Sequence, residues 1–379
     1  MLNNNDTYNK VLIALFITII FLIGISSIII KDIEFSENEN KVMTKFPSFD
    51  FDELLNGKYT KAVENYFSDH IVFRDSFISY KTLTEIAMGK KDNSRVYFGK
   101  DNTLVELHEK IEYNNLKENI NILNKYNNNL KDKYNLNIDL ILVPTKTSIY
   151  NNRLPKFANV NDEQEILNYV YNNSNLNNIN VSDILFKNNN KDIFFNLDHH
   201  WNSYGAYLAY LEYSKEKGYI NNKYNRSIIN DKFYGSLYSK AINPFLKPDK
   251  LDIYNVNDKI KYNITYDRSK TVNNAYEYSN LNIKDKYTFY LDGNHAEVVI
   301  NTNNKNGKTI VIYKDSFAHA FIPFLIKNYE KLIILDLRYT GTDLSLYFKE
   351  NNVTDILILY NIYNFSNKNE FIKLNNYFK

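Results

Sequence analysis

A run of 20 residues without a single charge, Val11–Ile30 (VLIALFITIIFLIGISSIII), limits the surroundings this chain can occupy. As a helix rising about 1.5 Å per residue it is roughly 30 Å long, the thickness of a bilayer's hydrocarbon core. It is apolar all round, whereas a helix on the surface of a soluble core keeps a polar side. Lys10 precedes the run and Lys31 follows it, and beyond Lys31 come Asp32, Glu34, Glu37 and Glu39. The positive-inside bias is slight, but the short N-terminal tail favours an inside N-terminus. A cleaved signal peptide is the competing reading; it normally has a shorter apolar core that stops at small residues. Gly24, Ser26 and Ser27 are small, yet Ile28–Ile30 carry the apolar run past them. The expected layout is a cytoplasmic tail over 1–10, a transmembrane anchor over 11–30, a stalk over 31–52 and an extracytoplasmic folded part over 53–379.

The folded part has ample material for a core, since 44% of residues are hydrophobic. A net charge of +2, with lysines and acids interspersed, gives no electrostatic case for nucleic acid. The absence of cysteine rules out disulfides and thiolate metal sites, which suits an exported chain that folds without oxidation. The 33 tyrosines and abundant Asn, Lys and Ile read as the codon bias of an AT-rich genome.

Short apolar runs then alternate with helical patterns. Phe51 to Lys90 has helical spacing, Val96–Asp101 reads as a strand and turn, and Glu109–Tyr134 as a long polar helix. Asn137–Val143 reads as a buried strand closed by Pro144, Glu163–Asn172 as a helix, and Ile179–Leu185 as a strand region. Near the end, strands over Thr309–Tyr313, Lys331–Leu337 and Asp355–Tyr360 alternate with helices over Phe317–Glu330 and Asp343–Asn351. Apolar runs of this length separated by helices imply a parallel sheet covered on both faces. The Tyr- and Asn-rich stretch 224–304, with alternation over Lys259–Thr265 and Tyr287–Leu291, reads as an inserted, mostly antiparallel or irregular subdomain.

Two segments carry chemistry. In Phe195-Asn196-Leu197-Asp198-His199-His200-Trp201-Asn202, residues 198 and 200 point to one side of an extended chain. A carboxylate so placed orients an imidazole and stabilises its protonated form, as a general base requires. In Tyr313-Lys314-Asp315-Ser316-Phe317-Ala318-His319, the serine lies on a strand-to-helix turn at the carboxyl edge of the expected sheet, where open α/β folds place their sites. The helix start offers N–H groups and a favourable dipole to a developing oxyanion. Alternatives stand beside each: Asp-Ser before a helix is an ordinary N-cap, and a D-x-H triplet occurs by chance. Adjacent histidines on a strand face opposite ways, which disfavours a metal site. His199 reads as structural and Trp201 as a packing wall, or else a sugar platform.

These residues resemble a known family. Asp198-His199-His200-Trp201 matches the signature of the bacterial DHHW family, which is similar to the SGNH-hydrolase-like domains of alginate O-acetyltransferases with their D-x-H-W and later G-D-S-F motifs. Glu39-Asn40-Lys41 with Phe46-Pro47, Val96–Asp101, and Val143-Pro144-Thr145-Lys146 followed by Leu154-Pro155 resemble further blocks of the family. The resemblance implies an SGNH-like three-layer α/β/α fold, with Ser316 as nucleophile, His200 as base and Asp198 as the orienting acid. It implies transfer of an acetyl group through a serine ester to an exported or cell-surface polysaccharide, without a cofactor, from a membrane-bound O-acyltransferase donor. Lys314 stands where the alginate enzymes have Gly, which places the turn and the oxyanion hole in question. Asn294, in the turn before a strand over Ala296–Ile300, is either a second oxyanion donor or an ordinary turn residue. His319, one helical turn past Ser316, lies either near the pocket or on the helix surface. Two other functions stay open at this point: an acetylesterase of the same fold, and a non-catalytic surface protein that binds glycan or assists assembly.

Overall fold

Apolar runs of five to seven residues near the C-terminus form the middle of the protein, because each buries both faces at once. The structure, a computed structural model, describes residues 4–219, 224–255, 260–341 and 344–376. Within them, an eight-stranded sheet is built from β1 (Ile138–Val143), β2 (Asn177–Asn178), β3 (Tyr262–Tyr266), β4 (Lys270–Val272), β5 (Glu297–Thr302), β6 (Thr309–Lys314), β7 (Lys331–Leu335) and β8 (Asp355–Asn361). The strand order is β4-β3-β5-β7-β6-β8-β1-β2. The five strands from β7 to β2 pair in parallel, and β5, β3 and β4 extend one edge antiparallel.

Alternation along each central strand divides the core in two. Ile310, Ile312, Leu332, Ile334, Leu357 and Leu359 enter one cluster, shared with the helices Ser203–Glu216 and Ala318–Leu325. Val311, Tyr313, Ile333, Leu335, Ile356 and Ile358 enter the other. There they meet the helix Tyr113–Tyr134, which buries Leu116, Ile120, Leu123, Tyr126 and Leu130 at three- and four-residue spacing. The expected three-layer α/β/α arrangement follows.

The connections fix where a site can form. The chain leaves β6 into the helix Ala318–Leu325 on one face, and leaves β8 into the helix Ile362–Asn367 on the other. Because β6 and β8 are neighbours, their carboxyl ends diverge and open a crevice between them. Such a switch in direction is where open α/β sheets bind ligands.

Four expectations need correction. The stretch 224–304 is not a separate insert: β3, β4 and β5 pair into the main sheet, and only Asn225–Phe233 with Asp249–Asn255 form a hairpin of their own. The edge of the parallel set would otherwise expose unpaired N–H and C=O groups, and β5 satisfies them by pairing with β7. Ile179–Leu185 is mostly helix, Ser182–Lys187, preceded by the two-residue β2. The helix expected over Phe317–Glu330 ends at Leu325, two residues past Pro323. The 31–52 segment is no free stalk, and the first boundary falls at 90 rather than 53: residues 1–90 with 239–245 make one compact unit, and the rest another. In the first unit Phe35–Ser36 pairs with Lys41–Val42, and the buried Asp69 accepts bonds from Lys41 Nζ and from Thr44.

Inside the second unit, Lys314 closes β6 with its side chain buried. Its Nζ lies 2.9 Å from Asp336 Oδ2, just past β7, and Arg338 binds the same carboxylate. Removing one partner of a buried pair leaves an uncompensated charge. Asp336→Ala is expected to cost about 3–5 kcal/mol, measured by chemical denaturation, whereas an exposed substitution such as Glu216→Ala should change stability by about 0.5 kcal/mol or less.

Candidate active site

The turn after β6 is shaped by Asp315, whose role as a plain N-cap the sequence suggested. Its Oδ1 accepts from the N–H of Phe317, and its Oδ2 accepts from the N–H and Nδ2 of Asn361 and from Nδ2 of Asn364. One buried carboxylate thus ties the end of β6 to the end of β8. Ser316 is left half-buried at the top of the crevice, and its N–H has no protein acceptor among the described residues.

The opposite wall is the segment Phe194–Trp201. Lys146, fully buried, donates to the carbonyls of Phe195, Asn196 and Asp198 at 2.9, 3.0 and 2.7 Å. Asp249 accepts from the N–H groups of Asn196 and Leu197. Burial pulls the Lys146 ammonium down, against Asp249 and Asp198, which favour its charged form. Trp201 is wholly buried and donates through Nε1 to the carbonyl of Phe317 at 2.8 Å, so it braces the histidine segment against the serine turn. That is the packing-wall role, and no face is free for a sugar. Asn202 caps the following helix by accepting from the N–H groups of Tyr204 and Gly205.

Between these walls the three residues meet. Ser316 Oγ lies 2.7 Å from His200 Nε2, and His200 Nδ1 lies 2.7 Å from Asp198 Oδ1. Asp198 also accepts from the N–H of His200 and, through Oδ2, from the N–H of Ser236. Burial works against the Asp198 carboxylate, but His199, His200 and these hydrogen bonds together hold its pKa well below the ordinary value. Burial and then His199 push His200 down to about 4, over the opposing pull of Asp198. At neutral pH the imidazole is uncharged: with Nδ1–H donated to Asp198, Nε2 is free to accept the Ser316 hydroxyl proton. The His200 ring stacks on Tyr287 at 3.7 Å with the planes 4° apart, and Tyr287 Oη donates to the Ser316 carbonyl. The sequence placed Tyr287 at the start of an alternating stretch over Tyr287–Leu291; it sits instead in a 3-10 turn, Lys286–Phe289, and nothing local marks its ring as a partner of His200.

The remaining expected residues are placed less centrally. His319 does not face the crevice: it is buried, with Nε2 2.8 Å from Lys314 Nζ, because its helix turns that face into the core. Asn294 is exposed in the turn at Gly293 and accepts from Arg338; no hydrogen bond links it to Ser316. The Lys314 side chain is held by Asp336 and His319, so its bulk is absorbed in the core rather than in the serine turn. His199 donates or accepts at Ser236 Oγ through Nδ1. Asp198, His199 and His200 place ligand-type atoms within 4.8 Å of one another, but both His200 nitrogens are engaged by Asp198 and Ser316. A cleft of about 260 Å³ opens beside the triad, flanked by His199 and Phe317 and lined further by Glu106, His108, Lys146 and Tyr363.

Comparison with known proteins bears on the family and the fold. The family described as DHHW protein matches residues 108–335, more than half of the chain, and the chain belongs to that family. A DHHW family protein from Eubacterium siraeum is 22% identical, with a TM-score of 0.62, over 74% of this chain and 98% of its own. PatB1 of Bacillus cereus is 25% identical, with a TM-score of 0.62, over 71% of this chain and 97% of its own. A second PatB1 structure, with a sulfonyl adduct, is 24% identical, with a TM-score of 0.61, over 73% of this chain and 98% of its own. No curated protein matches the sequence.

Gly235 is the tightest point behind the site. A Cβ there would lie 2.3 Å from Asp198 Cβ and 2.9 Å from its Cα. Gly235→Ala therefore has to move the Asp198 carboxylate, at a cost of about 1–3 kcal/mol of overpacking. In thermal melts the variant should be less stable, and the NMR signals of His200 should shift with it.

Proposed function

We propose that this chain, as a member of the DHHW family, is a serine-dependent acyltransferase that moves an acetyl group to a hydroxyl of a cell-surface or exported polysaccharide. The observation that carries the reading is the unbroken chain of two 2.7 Å contacts from Asp198 through His200 to Ser316. In the first half-reaction Ser316 Oγ attacks the acyl carbonyl as His200 Nε2 takes the hydroxyl proton. The tetrahedral adduct collapses to the serine ester, and His200 returns the proton to the departing group. In the second half-reaction His200 takes a proton from the acceptor hydroxyl, which attacks the ester and regenerates Ser316. The free N–H of Ser316 is the first oxyanion donor, at the start of a helix.

The cleft beside the triad supports an acceptor with many hydroxyls. Its lining mixes carboxylate, imidazole, amide and phenol groups, from Glu106, His108, Asn364 and Tyr363, and His108 stacks on Tyr363 at 4.1 Å. The N-terminal helix Asn4–Ile29 contains a segment, Asp6–Ile29, long and apolar enough to cross a membrane and unburied by the rest of the chain. We read it as a single-pass anchor with the N-terminus inside, holding the site outside the cell near a membrane-bound acyl donor. An acetylesterase differs only in the final acceptor, water.

The test is turnover of a chromogenic acetyl ester by the full chain in detergent, with and without a hydroxyl-rich oligosaccharide. Ser316→Ala should lose about a thousandfold or more in kcat/KM. Acetylated oligosaccharide accumulating at the expense of free acetate identifies the transferase, and acetate alone the esterase. Activity unchanged in Ser316→Ala would refute the triad. The pH profile carries its own sign. His200 acts as a base only when neutral, so kcat/KM should hold through neutral pH and fall as the pH drops through about 4. An acid limb near the ordinary histidine value would contradict this.

A further inference from the structure

The first compact unit carries an apolar tip that neither the fold nor the triad uses. Its helices Lys58–His70 and Arg74–Ala87 are joined by Ile71-Val72-Phe73. Phe73 sits in the left-handed backbone region at φ 62°, where a non-glycine residue is uncommon, and its ring is 69% exposed. Ile71 beside it and Phe77 one turn further are exposed as well. Backbone strain at an uncovered aromatic residue marks a candidate contact site; Phe157, at φ 66° and fully exposed in the second unit, shares both features, and what separates Phe73 is the contact its loop makes.

The contacts of the loop say what that is. The N–H of Val72 donates to Ser27 Oγ at 3.0 Å. Ser27 lies in the last turn of the membrane-type helix, and the uncharged run continues to Ile30 before Lys31. Four residues of helical rise separate Ser27 from that first charge, about 6 Å. The loop is therefore fastened to the helix below its first charge, at a depth where the helix is still uncharged. A groove of about 340 Å³ lies at this junction, with Ile33, Ile71 and Phe73 on its apolar side and Lys31, Asp32 and Arg74 on its charged side. Charges flank the tip in sequence, Asp69 before it and Arg74 after it, and both are paired: Arg74 with Glu39 and Asp69, and Asp69 with Lys41.

We infer that the Ile71–Phe73 loop is a second membrane contact, inserted into the bilayer interface that receives the C-terminal end of the helix, with Phe73 below the headgroups. The inference rests on the reading of that helix as an anchor. The partner is the lipid surface itself, and aromatic rings are enriched at that depth. Two attachments, one spanning and one interfacial, then restrict how the unit turns about the helix axis.

The absence of cysteine allows a clean test on the full chain. Single substitutions Phe73→Cys, Ile71→Cys, Phe21→Cys in the middle of the helix, and Glu53→Cys on the exposed helix Phe51–Leu55 each receive one environment-sensitive fluorophore. The labelled proteins are reconstituted in phosphatidylcholine vesicles with and without lipids bearing a quencher in the upper acyl chain. The expected result is quenching of the 73 and 71 labels together with the 21 label, and none at 53. Quenching at 21 alone overturns the inference and leaves the anchor standing. No quenching at any position overturns both. Labels at 73 and 71 that report an apolar setting but escape the lipid quencher also overturn it, and assign the tip to a protein surface.

Discussion

A hydrogen bond of 2.7 Å between Ser316 and His200 joins two segments 116 residues apart, and much of the second unit exists to hold it. A base and its nucleophile act together only within hydrogen-bond reach, so each wall of the crevice has to be fixed independently. The serine wall is fixed by Asp315, which binds the end of β8 and the turn after β6 with four hydrogen bonds. The histidine wall is fixed by Lys146, which gathers three carbonyls, and by Asp249, which gathers two N–H groups. Trp201 and Tyr287 then bridge the walls, each through a hydrogen bond to backbone of the serine turn.

Each of these devices is a polar group taken out of water, which is costly unless every donor and acceptor is met. Lys146 shows how far this goes: its three donors all point at backbone, and none is left for a substrate. The same burial that makes the network costly sets the chemistry. A dry, stacked His200 stays neutral, and the fixed Asp198 holds its tautomer. Lys314 and Asp336 repeat the pattern one strand away, joining the ends of β6 and β7 under the site.

What the sequence made legible follows from how local each signal is. Asp198 and His200 stand out because two-residue spacing on an extended segment needs no knowledge of the fold, and Ser316 because a strand, a turn and a helix start are adjacent in the chain. β6, β7 and β8 were legible for the same reason, as continuous apolar runs. Tyr287 and Asp249 were not, because their partners lie in other elements and only the tertiary fold brings them there. The helix Ser203–Glu216 escaped notice because both of its sides are buried, which erases the polar–apolar period. β3 and β5 were visible as alternation over Lys259–Thr265 and as a strand over Ala296–Ile300, but their place in the main sheet was not, because it is set by pairing, of β5 with β7 and of β3 with β5, and not by their own residues. His319 sat at the right spacing from Ser316 but points into the core, a direction that spacing alone does not reveal.

The central claim is that Ser316 carries the acyl group. The most direct measurement is mass spectrometry of peptides from the full chain, acid-quenched within a few turnovers of a chromogenic acetyl ester, beside His200→Ala. The expected result is an acetyl ester on Ser316 in the native chain and none in the variant. Product formed with no acetylated Ser316 at any quench time, or an acetyl group trapped on a different residue that turns over at the catalytic rate, would contradict it.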